Sequence, residues 1–360
     1  MRQRPVDLKE CCPKPHIDGV EATKDRLQIV NFADLSDANW TFLQASLVDL
    51  QLDWHFFSTN PRSPLERLVK RPRLARWRGV WAAVRCAARN PHTVVISHLP
   101  KTTLWLVLLC SLMSVKARHI AFSFNFTELP TGIKKDLMRW AFRKVDRFVV
   151  FSRTEQSRYA DYFGIDLARI DFMPWEMDIP RTSESPFISG KYVCAVGGEG
   201  RDYETLIRAM QLAPHIKTVI VTRSYNMPQG PLPANVELHT ELSGTDFWSV
   251  VKHSHAVVVP LLDAQTNCGH ITLVGALLFG RPIVATRSAG IDDYVTDDVN
   301  ALIVAAGDAL ALQCAVERIW SDQLTHERLR ANILSKQTER PTEGSWNSYF
   351  RQYLSRFTDR

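Results

Sequence analysis

Two short stretches carry residue types suited to holding phosphate. The first, GGEGRDYETL at 197–206, joins an apolar, β-branched run to a helical period. Its glycines let the backbone turn tightly and approach a ligand. Gly198-x-Gly200 opens like a dinucleotide fingerprint, but Tyr203 stands where a third Gly or Ala belongs, and no acidic residue stands out about 20 positions further on. A nicotinamide site is therefore excluded. What remains is a turn with free backbone N–H groups and the positive end of a helix dipole, which together stabilise phosphate oxygens. Arg201 follows at once, and its planar fork suits the same oxygens. The second stretch is Thr266-Asn267-Cys268-Gly269-His270-Ile271-Thr272. Gly269 lets the backbone come close to a ligand, and Thr272 could cap the following helix or bind phosphate. An ordinary strand-to-helix turn explains Asn267 better than it explains two Gly-containing turns in one half of the chain.

Metal chemistry finds less support. The seven cysteines include no C-x-x-C pair, which argues against a zinc site or a disulfide framework and fits a reducing cytoplasm. Cys11 and Cys12 beside His16 fall in a polar first segment that reads as a flexible tail.

These stretches need a scaffold, and the 360 residues, 45% of them hydrophobic, suffice for two cored domains. Strands RLQIVNFA (26–33), LDWHFFST (52–59), HTVVISHL (92–99), RHIAFSFNF (118–126) and DRFVVFS (146–152) alternate with helical periods, the pattern of βαβ units on a parallel sheet. A Pro- and Ser-rich stretch at 174–190 interrupts it, and alternation restarts at KYVCAVGG (191–198). The expected organisation is a tail at 1–25, a first Rossmann-like domain at 26–178, a linker at 179–190, a second at 191–344, and a helix at 345–360. In that last segment Trp346, Tyr349, Phe350, Tyr353, Leu354 and Phe357 share one helical face, which would be buried by returning to the first domain.

The net charge of +6 is concentrated in 62–89, where Arg62, Arg67, Lys70, Arg71, Arg73, Arg76, Arg78, Arg85 and Arg89 interleave with Trp77 and Trp81. The run reads either as a solvated helix face or as a surface for anionic headgroups with Trp at the interface. Nucleic-acid binding is set aside, since no recognition motif accompanies the charge. The N-terminus has no apolar core of a signal peptide, and TTLWLVLLCSLMSV (102–115) is shorter than the roughly 20 residues a span needs. The location expected is cytoplasmic, with peripheral attachment to the inner membrane face as its extension.

GGEGRDYETLIRAM and NCGHITLVGALLFGRPIVATRSAGIDDYVTDDVNALIV together resemble the C-terminal donor domain of GT-B glycosyltransferases, in particular retaining glycosyltransferase family 4 (group 1). SWNSYFRQYL resembles that family's closing helix, and HIAFSFNF, KVDRFVVFSRTEQSRY and IDFMPWEMD the end of its first domain and its hinge. The resemblance spans roughly 90–357. It implies two doubly wound α/β domains facing a cleft, and a hexosyltransferase-type enzyme (EC 2.4) that takes a UDP- or GDP-sugar and retains the anomeric configuration. It implies no metal or other cofactor. The acceptor, a glycan or lipid-linked precursor of surface polysaccharide, would sit on the first domain.

The resemblance places Arg201 on the donor diphosphate, Gly198 beside it, and the amides around Cys268, Gly269 and His270 at the distal phosphate. It asks for a histidine near the donor sugar, and His98, at the end of a strand, is the candidate. Asn125, also at a strand end, could contact sugar or acceptor, and Glu128 is a weaker candidate base. Two departures stand out. The family's paired glutamates, one on the sugar and one on the ribose, become Asn267 and Gly275. Asn267 can still bond a sugar hydroxyl, whereas losing the ribose contact should weaken binding by roughly 1–3 kcal/mol unless Glu199, Arg223 or Asp263 compensates. The family's first-domain glycine loop is replaced by Asp34–Asn39, which lacks glycine. The alternative is thus an inactive GT-B protein that binds a glycan, lipid or protein; a nucleotide-sugar epimerase ranks last.

Overall fold

The structure, a computed structural model, describes residues 26–33, 44, 47–59, 61, 63–68, 74–338 and 345–358. The 1–25 tail, the Asp34–Asn39 loop, and Arg62, Lys70, Arg71 and Arg73 of the basic run lie outside them. So does most of the segment WTFLQASLVDL (40–50), whose apolar spacing predicts a helix and of which Val48–Leu50 forms a 3-10 turn.

The first sheet contains β1 (Gln28–Ala33), β2 (Asp53–Ser58), β3 (Thr93–His98), β4 (Arg118–Phe122), β5 (Arg147–Val150) and β6 (Ile170–Phe172), in the order β2-β1-β3-β4-β5-β6. Neighbours are all parallel. β1 and β3 are buried at every position, as continuous apolar strands covered on both faces must be. Helices α1 (Pro64–Leu68), α2 (Leu74–Ala87), α3 (Pro100–Leu112), α4 (Gly132–Phe142) and α5 (Arg153–Phe163) connect them. α5 starts with a capping box: Ser152 Oγ accepts from the Glu155 amide, and the Glu155 carboxylate accepts from the Ser152 amide. It ends at Gly164 with φ +64°, a left-handed turn that glycine adopts without strain.

The second sheet contains β7 (Val193–Val196), β8 (Thr218–Thr222), β9 (Val236–Thr240), β10 (Ala256–Val259), β11 (Ile283–Thr286) and β12 (Ala301–Val304), in the order β12-β11-β10-β7-β8-β9. It is also parallel. Helices α6 (Tyr203–Gln211), α7 (Gly244–His253), α8 (His270–Leu278), α9 (Ala309–Ser321) and α10 (Gln323–Thr338) pack on it. Asp202, Ser243 and Asp308 cap α6, α7 and α9 with side-chain oxygens. α11 (Ser345–Thr358) then crosses to the first sheet, where Trp346, Phe350, Tyr353 and Leu354 bury against Ile29, Ile96 and Phe122. The Phe122 ring meets those of Trp346 and Phe350 edge-on, 5.0 and 5.3 Å away. This is the two-domain α/β architecture with a returning helix that the sequence suggests.

Some local expectations fail. The strand expected over 118–126 stops at Phe122 because Ser123 turns to φ +54°. The basic run is helical as expected, in two pieces, α1 and α2, with residues 69–73 between them outside the description. β6, β12 and α10 have no counterpart in the sequence reading, the first two being only three and four residues long. α10 is polar nearly all round and buries Leu329 and Ile333. The apolar α3 lies on the first sheet through Leu104, Leu106 and Val107, and no helix among the described residues is long and apolar enough to cross a membrane.

Candidate functional site

Arg201 leaves the turn after β7 and is 5% exposed. Its Nε donates to the Val196 carbonyl at 3.3 Å. One terminal nitrogen donates to the Glu199 carbonyl (3.0 Å) and the Cys268 thiol (3.7 Å), and the other to Thr272 Oγ1 (3.0 Å). Glycines make this burial possible. A Cβ on Gly197 would fall 2.8 Å from a guanidinium nitrogen, and one on Gly269 3.4 Å from the other, and both glycines have positive φ. Among the described residues the guanidinium has no carboxylate partner.

The N-terminus of α8 lies against the same group. Its N-cap, Gly269 (φ +99°), supplies no side-chain oxygen, and the first turn contains no acid. A buried cation beside the positive end of a helix is unfavourable on two counts, desolvation and dipole repulsion. An anion bound there would relieve both. Two expectations are corrected in detail. Four of the five Arg201 N–H groups already meet protein acceptors, so the guanidinium as it stands does not present a free two-pronged face to a phosphate. Thr272 does not cap α8; its hydroxyl accepts from Arg201 and donates to the Val196 carbonyl. Burial pushes the Cys268 thiol up, so it remains protonated and donates to the Glu199 carbonyl at 3.1 Å.

Asn267 reaches across the cleft. It lies beside Tyr159 of α5, its Oδ1 has no hydrogen-bond partner among the described residues, and the residue is 1% exposed. Tyr159 in turn donates to Glu155 at 2.8 Å and accepts from the Phe126 amide at 3.0 Å. Burial raises Glu155 to about 7. His270 donates through Nε2 to the Gly290 carbonyl at 3.1 Å, and burial lowers it to about 4. With the carbonyl as acceptor, that nitrogen carries the proton. Further bonds join the halves nearby: Arg158 donates to Gln265, and the Tyr294 hydroxyl donates to the Phe151 carbonyl while accepting from the Trp175 amide.

Gly275, the other departure, lies under an indole. A Cβ there would come 2.6 Å from Trp248 Cη2 of α7 and 3.1 Å from Met177 Cε. No side chain fits at 275 unless Trp248 moves.

His98 and Asn125 do not join this cluster. His98 is fully buried, its Nε2 2.8 Å from Asn31 Oδ1 and its ring edge-on to Phe122; burial depresses it to about 3, so it is neutral. Asn125 is half-buried in the turn after Ser123, whose carbonyl accepts its amide. Arg223 lies at the surface, paired with Glu241 at 2.8 Å, its stem packed on Gly198. Glu199 accepts from Tyr225, and Asp263 holds the Gln265 amide and the Thr266 hydroxyl. Glu128 and Asp263, from opposite halves, line a cavity of about 190 Å³ with Phe126, Arg158, Tyr159 and Gln265. No group of three or more metal-ligating side chains occurs among the described residues. Sequence reasoning missed Tyr159 and Trp248. Tyr159 follows Glu155 by one helical turn, a faint signal, whereas nothing local marks Trp248 as the cover of Gly275.

Comparison with known proteins bears on the family and the fold. Residues 192–322 match the family model Glycosyl transferases group 1. No curated protein sequence matches the chain. Solved structures similar in fold include sucrose-phosphate synthase from Thermosynechococcus elongatus (TM-score 0.68, 15% identity, 92% of this chain and 100% of that one). Another is Anabaena Alr3699/HepE in complex with UDP-glucose (0.66, 15%, 91% and 99%). A third is a glycosyltransferase from Rickettsia africae (0.62, 11%, 93% and 98%). The fold is that of GT-B glycosyltransferases.

Proposed function

We propose that the protein moves a sugar from a UDP- or GDP-sugar to a glycan or lipid-linked acceptor. The observation that carries this reading is Arg201, a buried guanidinium without a carboxylate partner beside an uncapped helix N-terminus. As the bond from the anomeric carbon to the diphosphate breaks, negative charge gathers on the leaving phosphate. A fixed cation and oriented amides stabilise that charge without reorganising. They supply positive charge from the chain itself, which supports metal-independent transfer. Asn267 Oδ1, buried and without a partner, would accept from a sugar hydroxyl. The family match over 192–322 and the UDP-glucose held by the Anabaena protein support the donor class. Retention rests on the family resemblance. The basic and aromatic 62–89 run supports attachment at the cytoplasmic face of a membrane, and with it a lipid-linked precursor of polysaccharide.

The test is thermal unfolding against a panel of nucleoside diphosphates and nucleotide sugars. A ligand at about 100 times its Kd should stabilise the fold by about 2.7 kcal/mol. Arg201→Gln should weaken the hit by about tenfold or more, as expected for a lost charge-assisted contact. Thr272→Val, which removes one acceptor of the guanidinium but keeps its charge, should weaken the hit less than Arg201→Gln; an equal loss would point to a disturbed loop. Silence across the panel would overturn the reading. The second reading, a GT-B protein that binds a partner without transfer, has one observation in its favour: Trp248 fills the place above Gly275.

A further inference from the structure

We infer that the whole outer helical layer of the first domain, α2, α3 and α4 together, is a docking face for an anionic lipid bilayer. This deepens the peripheral-membrane part of the proposed function, which rests on the 62–89 run alone. On α4, Ile133, Leu137 and Trp140 fall at i, i+4 and i+7 and are 88%, 38% and 43% exposed. That is an apolar stripe facing water, the reverse of what a solvated helix shows. Leu112, at the end of α3, is 81% exposed, and Trp77 and Trp81 form a matching pair one turn apart on α2. The three helices are joined in space. Trp77 and Trp105 meet edge-on at 4.5 Å between α2 and α3. Lys144 reaches Ser111 of α3 at 3.0 Å and lies over the Trp140 ring. The exposed tryptophans of the described residues, Trp77, Trp81 and Trp140, are all on this layer.

Charge selects the occupant. Arg85, Arg89, Lys101, Lys116, Lys134 and Arg143 are exposed on these helices and their ends without an ion pair among the described residues, against three acids, Glu128, Asp136 and Asp146, the last of them paired with Arg118. A second protein copy would bring the same cations against themselves. Anionic headgroups take the cations while Trp, Ile and Leu enter the interface. α4 begins just after Glu128 and Leu129, which line the cavity between the domains. Docking would therefore set the cleft mouth beside the bilayer, where a lipid-linked acceptor is presented.

The experiment is co-sedimentation with vesicles of phosphatidylcholine alone and of phosphatidylcholine with about a third phosphatidylglycerol. The protein should sediment with the mixed vesicles, less as salt rises, and not with phosphatidylcholine. The pair Ile133→Ser/Leu137→Ser should lower binding by about tenfold. Leu310→Ser/Leu324→Ser, a comparably exposed pair on the second domain, should leave it unchanged. Failure of the wild type to sediment overturns the proposal. So does full binding by the α4 pair with loss only in Trp77→Ala/Trp81→Ala, or a lipid-free dimer abolished by the α4 pair. Donor affinity is read without vesicles, so its absence would sink the transferase reading and leave this one standing.

Discussion

Gly275 shows how a residue that looks like a lost function can be a packing requirement. Its Cα is covered by the Trp248 indole, so the acid absent there could not be restored alone. Gly275→Glu is expected to destabilise the protein by roughly 1–3 kcal/mol, the range for overpacking, and to leave donor affinity no better. Adding Trp248→Ala should recover much of the loss in a denaturant titration; if Gly275→Glu alone is as stable as wild type, the indole is not the obstacle. Buried titratable groups set the acid response at the same scale. His98, His119 and His270 are depressed by burial from 6.5 to about 3, 4 and 4. Their folded pKa lies below the unfolded one, so their contribution is present above pH 6.5 and is lost as pH falls towards 4. Glu155 opposes them: raised from 4.5 to about 7, it stabilises below pH 4.5 and loses that as pH rises to 7. Unfolding followed from pH 7 to 5 should show falling stability, and Glu155→Gln should steepen the fall. A flat profile would contradict the neutral buried histidines.

At the scale of elements, the sequence was most informative where a local signal sufficed. β3 reads as an uninterrupted apolar run, and α5 carries its cap, its amphipathic period and its closing glycine within thirteen residues, Ser152 to Gly164. Ser152→Ala removes the cap of α5 and should cost about 1 kcal/mol, seen as a lower thermal midpoint. No shift would mean that the Glu155 network holds the helix start by itself. β6, β12 and α10 were illegible for a common reason. β6 and β12 are too short to show a period, and α10 is polar nearly all round, so periodicity marks none of them. Ser123 is similar: its left-handed turn ends β4 although the residues beyond it look like strand.

For the whole molecule, the returning helix ties the end of the chain to its first sheet. Phe350 is fully buried against Phe122 and should cost roughly 3–5 kcal/mol when cut to Ala, with the first sheet losing protection from hydrogen exchange first. Equal loss in both sheets would mean that the halves unfold as one. The aromatic stripe of α11 announced in sequence that a partner must exist, and the resemblance named the first domain as that partner. The sequence by itself determined the alternation of strands and helices, and hence two parallel sheets. It also determined the two glycine turns with their arginine, because hydrophobic period, turn chemistry and charge are written over a few consecutive residues. Tertiary structure alone decided that Arg201 is buried with most of its fork engaged, that Asn267 lies beside Tyr159 of the other half, and that Trp248 lies over Gly275. It alone brought Trp77 against Trp105 and Lys144 over the Trp140 ring. Each depends on which distant atoms share a space, and that is settled by close packing of the assembled chain, not by any local preference.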